Sequence, residues 1–282
     1  MPRYSFRSLQ ITHLRRIMTP FALAFLLVSS LTIGFTVKTA HASGFIGPKH
    51  YYMAIGNSIS FGYQPDLNWA DGYTTDWANQ MQQRDSGLEY DNLACPGETT
   101  TTFLNGGCPY WYIRKYFYTG SQMSAALTYL SQHAGQVSPV SLDIGANDLL
   151  PCYSNGSINT SCGNSALNTV RTNLPIIVSK IKNALHGTGD FFLMNYYDPY
   201  QNAAPSTLTW VNQLNSIIAQ VGQQYGVPVV DVASIYHTSS YPNGGNPAIC
   251  NWTWYCSIFS DIHPNSNGYT AIAGGFESLS GY

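Results

Sequence analysis

Two segments at opposite ends of the chain carry side chains suited to nucleophilic catalysis. Gly56-Asn57-Ser58-Ile59 follows the apolar Met53-Ala54-Ile55, and Asp261-Ile262-His263-Pro264 lies near the C-terminus. A Ser hydroxyl becomes an effective nucleophile when a His removes its proton. Two further segments lie between them: Gly97 in Cys95-Pro96-Gly97-Glu98-Thr99-Thr100, and Asn147 in Gly145-Ala146-Asn147-Asp148. In acyl transfer the tetrahedral intermediate places negative charge on the former carbonyl oxygen, which needs preorganised N–H donors. The Ser58 N–H, the Gly97 N–H and the Asn147 amide are the candidates for that oxyanion hole. Ser58 is the candidate nucleophile, His263 its base and Asp261 the group that orients the imidazole. A lone Ser in a turn, or a lone His before a helix, is ordinarily structural. The order Ser, Gly, Asn, His gives the catalytic reading its weight.

These residues need elements that bring them to one place. Apolar runs at 51–55, 90–94, 140–144, 191–195 and 227–232 predict five short buried strands. Helical spacing predicts helices over 74–83, 122–133, 166–185, 207–225 and 267–278, with Pro175 as a kink or break in the third. Gly226 reads as a C-cap. Strands alternating with helices imply an α/β protein with a five-stranded parallel sheet covered on both faces. Reactive groups in such folds sit outside the carboxyl ends of the strands. Ser58 follows strand one, Gly97 strand two and Asn147 strand three, while His263 precedes the closing helix. The long loops 96–120, 151–164 and 234–259 open on the same edge.

With those motifs in that order the chain resembles the SGNH hydrolase superfamily, also called the GDSL lipases and esterases, over the whole of residues 43–282. The cysteine-rich loops look most like the secreted bacterial members. The resemblance implies a three-layer α/β/α, flavodoxin-like fold, with Ser58 as nucleophile, Gly97 and Asn147 as oxyanion donors and His263 as base. Two positions depart from the family pattern. Asn57 stands where an Asp is usual, keeping a hydrogen-bonding side chain without the charge. Ser260 occupies the position three before the His where the family often has Asp, and Asp261 is only two before. Either Asp261 or a backbone carbonyl in the segment 252–260 orients His263.

The first 42 residues are expected to be a secretory signal peptide. Arg3, Arg7, Arg15 and Arg16 precede an apolar run at 21–37, and Ala40-His41-Ala42 is a small-x-small cleavage site. The Arg15-Arg16 pair leaves the twin-arginine route open beside the general one. About 240 residues then form one hydrolase domain, 43–282, of ample core size. The whole chain has 12 Lys+Arg and 14 Asp+Glu. Five of the bases and none of the acids lie in 1–42, which leaves 7 against 14 and a formal charge near −7. That balance argues against nucleic acid as a partner.

All six cysteines follow residue 42 and cluster as three local pairs, predicted as Cys95–Cys108, Cys152–Cys162 and Cys250–Cys256. Local cross-links fit an extracellular location. The rival reading, a zinc site, lacks any C-x-x-C or H-E-x-x-H, so neither metal nor cofactor is expected.

Asp148 is expected to cap backbone N–H groups, and Asp143 and Asp231 to be structural. His50, His133, His186 and His237 read as surface residues, and the sequons at Asn155, Asn159 and Asn251 as exposed loops. The aromatic run 109–118 either packs over the core or walls an acyl- or sugar-binding cleft. Trp252, Trp254 and Tyr255 pose the same choice. The sequence thus points to a secreted, monomeric lipase or carboxylesterase acting on a small-molecule, lipid or polysaccharide ester, with no stable membrane insertion after signal cleavage. A carbohydrate deacetylase such as an acetylxylan esterase is the runner-up. A non-catalytic secreted binding protein of the same fold is the reading from another class.

Overall fold

The computed structural model describes residues 44–282, so the expected signal segment lies outside the described residues. The first half runs β1 (Tyr51–Gly56), α1 (Ser58–Phe61), α2 (Tyr73–Arg84), β2 (Glu89–Asn92), α3 (Thr100–Asn105), α4 (Gln122–Gln132), β3 (Val137–Asp143) and α5 (Ala146–Leu149). A small hairpin of β4 (Tyr153–Ser154) and β5 (Ser157–Ile158) follows. The remainder is α6 (Thr160–Leu185), β6 (Phe191–Met194), α7 (Leu208–Tyr225), β7 (Val229–Val230), α8 (Val232–Ile235), α9 (Pro247–Trp252) and α10 (Ser266–Ser280).

The main sheet has the order β2-β1-β3-β6-β7, and every pairing in it is parallel. This is the flavodoxin-like order, with its crevice at the adjacent carboxyl ends of β1 and β3. All seven residues of β3 are buried, as expected of a strand covered on both faces. On one face α2 packs against α10; on the other α6 packs against α4 and α7. The fold is therefore a three-layer α/β/α sandwich.

Local chemistry explains the boundaries. In α7 the buried Leu214, Ile217, Ile218 and Val221 recur at helical spacing, and Gly226 ends the helix in the left-handed region at φ 59°. Helix α6 starts at Thr160, six residues before the expected start. Asn159 caps it, its side chain accepting the Cys162 N–H at 3.0 Å, so the polar first turns are solvated helix rather than loop. Pro175 does not break α6. Leu174, Ile177, Val178 and Ile181 are buried, and Arg171, whose carbonyl loses its partner to the proline, is exposed to solvent. Strand β7 is only two residues long, where the apolar run 227–232 implied six; Val232 already belongs to α8, which Asp231 caps.

Disulfides join Cys95 to Cys108, Cys152 to Cys162 and Cys250 to Cys256. Among the described residues no helix is long and apolar enough to cross a membrane. Trp77 of α2 anchors the core: its ring meets Tyr52, Phe192 and Phe276, and its Nε1–H donates to the Tyr282 carbonyl at 3.0 Å. Trp77→Ala should destabilise the protein by about 3–5 kcal/mol, read from the midpoint of urea unfolding followed by circular dichroism; a loss below about 1 kcal/mol would show that the layers do not depend on it.

Candidate active site

The turn after β1 is built around a buried carboxylate. Gly56 has φ 135°, and a Cβ there would stand 2.2 Å from Asp143 Oδ1, so only glycine fits. Asn57 caps α1, its side-chain oxygen accepting the Ile59 N–H at 3.0 Å while its Nδ2 donates to the Tyr196 hydroxyl at 3.0 Å. Asp143 Oδ1 accepts the N–H groups of Asn57 at 3.4 Å and Ser60 at 3.2 Å. Ser58 is thus the first residue of a short helix, where a backbone N–H has no intrahelical partner.

At the other end of the chain, segment 253–264 folds back on itself. Thr253 bridges Pro264, and the Trp254 N–H donates to the His263 carbonyl at 3.0 Å. Asp261 Oδ1 accepts two N–H groups of His263, the backbone N–H at 2.9 Å and Nδ1 at 2.6 Å. The first is an Asx turn, which requires the carboxylate two residues ahead of the amide it binds. This is the physical reason that the two-residue spacing brings a carboxylate to the ring. A carboxylate only accepts, so Nδ1 carries the proton and Nε2 of a neutral ring is an acceptor. Nε2 lies 2.8 Å from Ser58 Oγ. Burial works against the Asp261 charge, and the bonds from His263 more than offset it, holding the carboxyl below its ordinary value.

Ser58, Asn147 and His263 line one cleft. Its other walls are mostly apolar, among them Leu149, Leu150, Ile158, Trp210, Val211 and Leu214. Gly97 and Asp261 are not among the lining residues. Gly97 lies in the next turn with φ 78°, against Pro109 and Tyr110, and Asn147 Nδ2 donates to the neighbouring Glu98 carbonyl at 3.0 Å. Asp148 accepts the Thr100 N–H at 2.9 Å and so fastens the turn after β3 to α3.

Sequence reasoning missed the braces behind these residues. Gln122 of α4 clamps Gly56, accepting its N–H at 2.6 Å and donating to its carbonyl at 3.0 Å. The same amide donates to Glu98 Oε2 at 2.8 Å. Burial pushes the Glu98 carboxyl up to about 7 against the hydrogen bonds from Thr102 and Gln122. No motif marks Gln122, which is 66 residues from its partner. The cleft wall on α7 was partly visible in helical spacing, but its facing the site was not. Trp252, Trp254 and Tyr255 do not line the cleft: Trp252 packs on Tyr236, and Trp254 donates to Gln64. Cys95 and Cys108 lie with Glu98 in a cluster of possible metal ligands, but their sulfurs are bonded to each other.

A Ser–His–Asp array at the carboxyl edge of a flavodoxin-like sheet defines the SGNH class of α/β/α hydrolases. Residues 54–271 match the GDSL-like Lipase/Acylhydrolase family, and the chain belongs to that family. Two solved structures share the fold at low identity. The acetylxylan esterase of Geobacillus stearothermophilus is 17% identical with a TM-score of 0.56, the alignment covering 84% of this chain and 96% of that one. The extracellular lipase of Streptomyces rimosus is 16% identical with a TM-score of 0.53, covering 81% of this chain and 98% of that one. No curated protein sequence gives a significant match.

Asp143 sets a pH dependence. It is fully buried, and burial pushes its carboxyl up to about 7 against the hydrogen bonds from Ser60 and Asn57 that hold it down. A carboxyl raised on folding holds its proton more tightly in the folded chain. Its contribution to stability is therefore fully present below about pH 4 and is lost as pH rises through about 7. Asp143→Asn should make the decline in urea midpoint between pH 4 and 7 shallower than in the wild type; an unchanged slope would contradict the assignment.

Proposed function

We propose that this protein is a secreted serine ester hydrolase that cleaves fatty-acyl esters. The observation that carries the reading is the chain of contacts Ser58–His263–Asp261, at 2.8 and 2.6 Å, at an apolar cleft. In the proposed reaction Ser58 Oγ attacks the ester carbonyl carbon as His263 Nε2 takes its proton. Asp261 holds the ring and stabilises the imidazolium that forms. The oxyanion is met by the N–H groups of Ser58 and Gly97 and by Asn147, whose Nδ2 keeps one proton beyond that given to Glu98. The imidazolium then protonates the departing alcohol, and water activated by the same His263 releases the acid. The three disulfides support an oxidising compartment.

The apolar wall favours a fatty-acyl chain over acetyl, because an acetyl group would leave most of it uncovered. A panel of 4-nitrophenyl esters should show kcat/KM rising from acetyl to octanoyl. Narrowing the cleft by Val211→Trp should lower kcat/KM for octanoate about 10-fold, as expected for two methylenes denied burial, and leave acetate within about twofold. Activity confined to acetyl groups on sugars would overturn the fatty-acyl reading.

Ser58→Ala tests the chemistry itself. It should lower kcat by roughly 10⁴-fold or more and abolish covalent labelling by a fluorophosphonate probe. Absence of both labelling and hydrolysis in the wild type would favour a non-catalytic binding protein.

A further inference from the structure

The cleft accounts for the acyl half of an ester and leaves the alcohol half without a site. The alcohol oxygen must receive its proton from His263 Nε2, so the alcohol departs past that ring. There Tyr63 packs on His263 with ring centroids 4.6 Å apart, and Trp69 stacks behind Tyr63 at 6.2 Å. Tyr110 borders the site from the side of the proposed oxyanion donor Gly97. It lies against the Gly97 turn, where a Cβ would meet it at 3.1 Å. The Tyr110 ring in turn lies 6.3 Å from that of Tyr112. Neither lines the acyl cleft.

Tyr110 opens a run of rings that the core does not absorb. Tyr110 is 47% exposed, Trp111 59% and Tyr112 65%. Within the run 109–118 only Tyr118 is buried, so packing over the core is not its general purpose. Adjacent exposed rings of this size mark a binding surface more often than a free one. The run is also held rigid. Cys108 at its base is tied to Cys95, and Arg114 donates to the carbonyls of Trp111 at 2.9 Å and Tyr118 at 2.7 Å while lying over the Tyr118 ring. Lys115 donates to the Trp69 carbonyl and so joins this wall to the Tyr63 wall. A loop tied down before binding loses little freedom when a ligand docks on it.

We propose that Tyr63, Tyr110 and Tyr112 form the subsite for the alcohol half of the ester, and that it takes an alcohol carrying a ring with an apolar face. Stacking on the apolar face of an aryl or a sugar ring is the shared chemistry. The proposal rests on the hydrolase reading above.

The test uses three esters of one acid, methyl, phenyl and glucose-6-yl octanoate, with the purified wild type and the Tyr110→Ala, Tyr110→Phe and Tyr112→Ala variants. In both alanine variants KM should rise roughly 3- to 10-fold for a ring-bearing ester, while methyl octanoate stays within about twofold. Tyr110→Phe should behave as wild type. A rise confined to the phenyl ester assigns the subsite to aryl alcohols, and one confined to the glucosyl ester assigns it to sugars. Equal changes for all three esters, or none, would overturn the subsite while leaving the hydrolase reading intact. No hydrolysis of any ester by the wild type would overturn both.

Discussion

The site depends on the burial of Asp143 beneath the turn that follows β1. Its Oδ1 accepts the N–H groups of Asn57 and Ser60, on either side of Ser58, and so fixes where that hydroxyl points. The arrangement works only with glycine at position 56, because any side chain there would meet the carboxylate. It also ties the carboxyl end of β3 to that of β1, the two strand ends at the crevice of the sheet. Asn57 fits this environment. An aspartate there would place a second carboxyl beside one whose burial already opposes its charge. A neutral amide caps α1 equally well and adds a donor to Tyr196.

Around that turn the other strand ends are braced by polar groups from distant parts of the chain. Gln122 holds Gly56 by both its backbone groups and reaches Glu98, while the Glu98 carbonyl holds Asn147. One connected set of hydrogen bonds thus spans the turns after β1, β2 and β3. Such a network limits how far the proposed oxyanion donors move relative to Ser58, which is what preorganised electrostatic stabilisation requires. The cross-link Cys95–Cys108 fixes the base of the middle turn from the other side.

Asp261 shows how local geometry can replace a sequence rule. The spacing usual in the family, three residues, is absent, and Ser260 stands in that place. With two residues the carboxylate closes an Asx turn on the His263 amide and meets Nδ1 with the same oxygen. One short turn therefore sets the ring, its tautomer and its distance to Ser58. The Thr253–Pro264 bridge closes the loop that holds it, and Cys250–Cys256 ties the start of that loop.

Much of this was legible in the linear chain because it depends on local patterns. Apolar periodicity gave the five strands and the main helices, and the glycines of the turns and the order Ser58, Gly97, Asn147, His263 marked the rim. Local signals failed where long-range packing decided. Pro175 stays inside α6 because its neighbours are buried on the sheet, and β7 is cut short where Asp231 caps α8. Nothing in sequence separation connects Gln122 to Gly56 or Asp143 to the turn around Ser58. Nor does it show which rings are buried, or that Leu149, Val211 and Leu214 face one cleft beside Ser58. By itself the sequence determined the five strands and the main helices, since those follow from side-chain periodicity. Only the tertiary structure decided the braces, the apolar wall of the cleft and the exposed aromatic rim, since these are contacts between residues far apart in the chain.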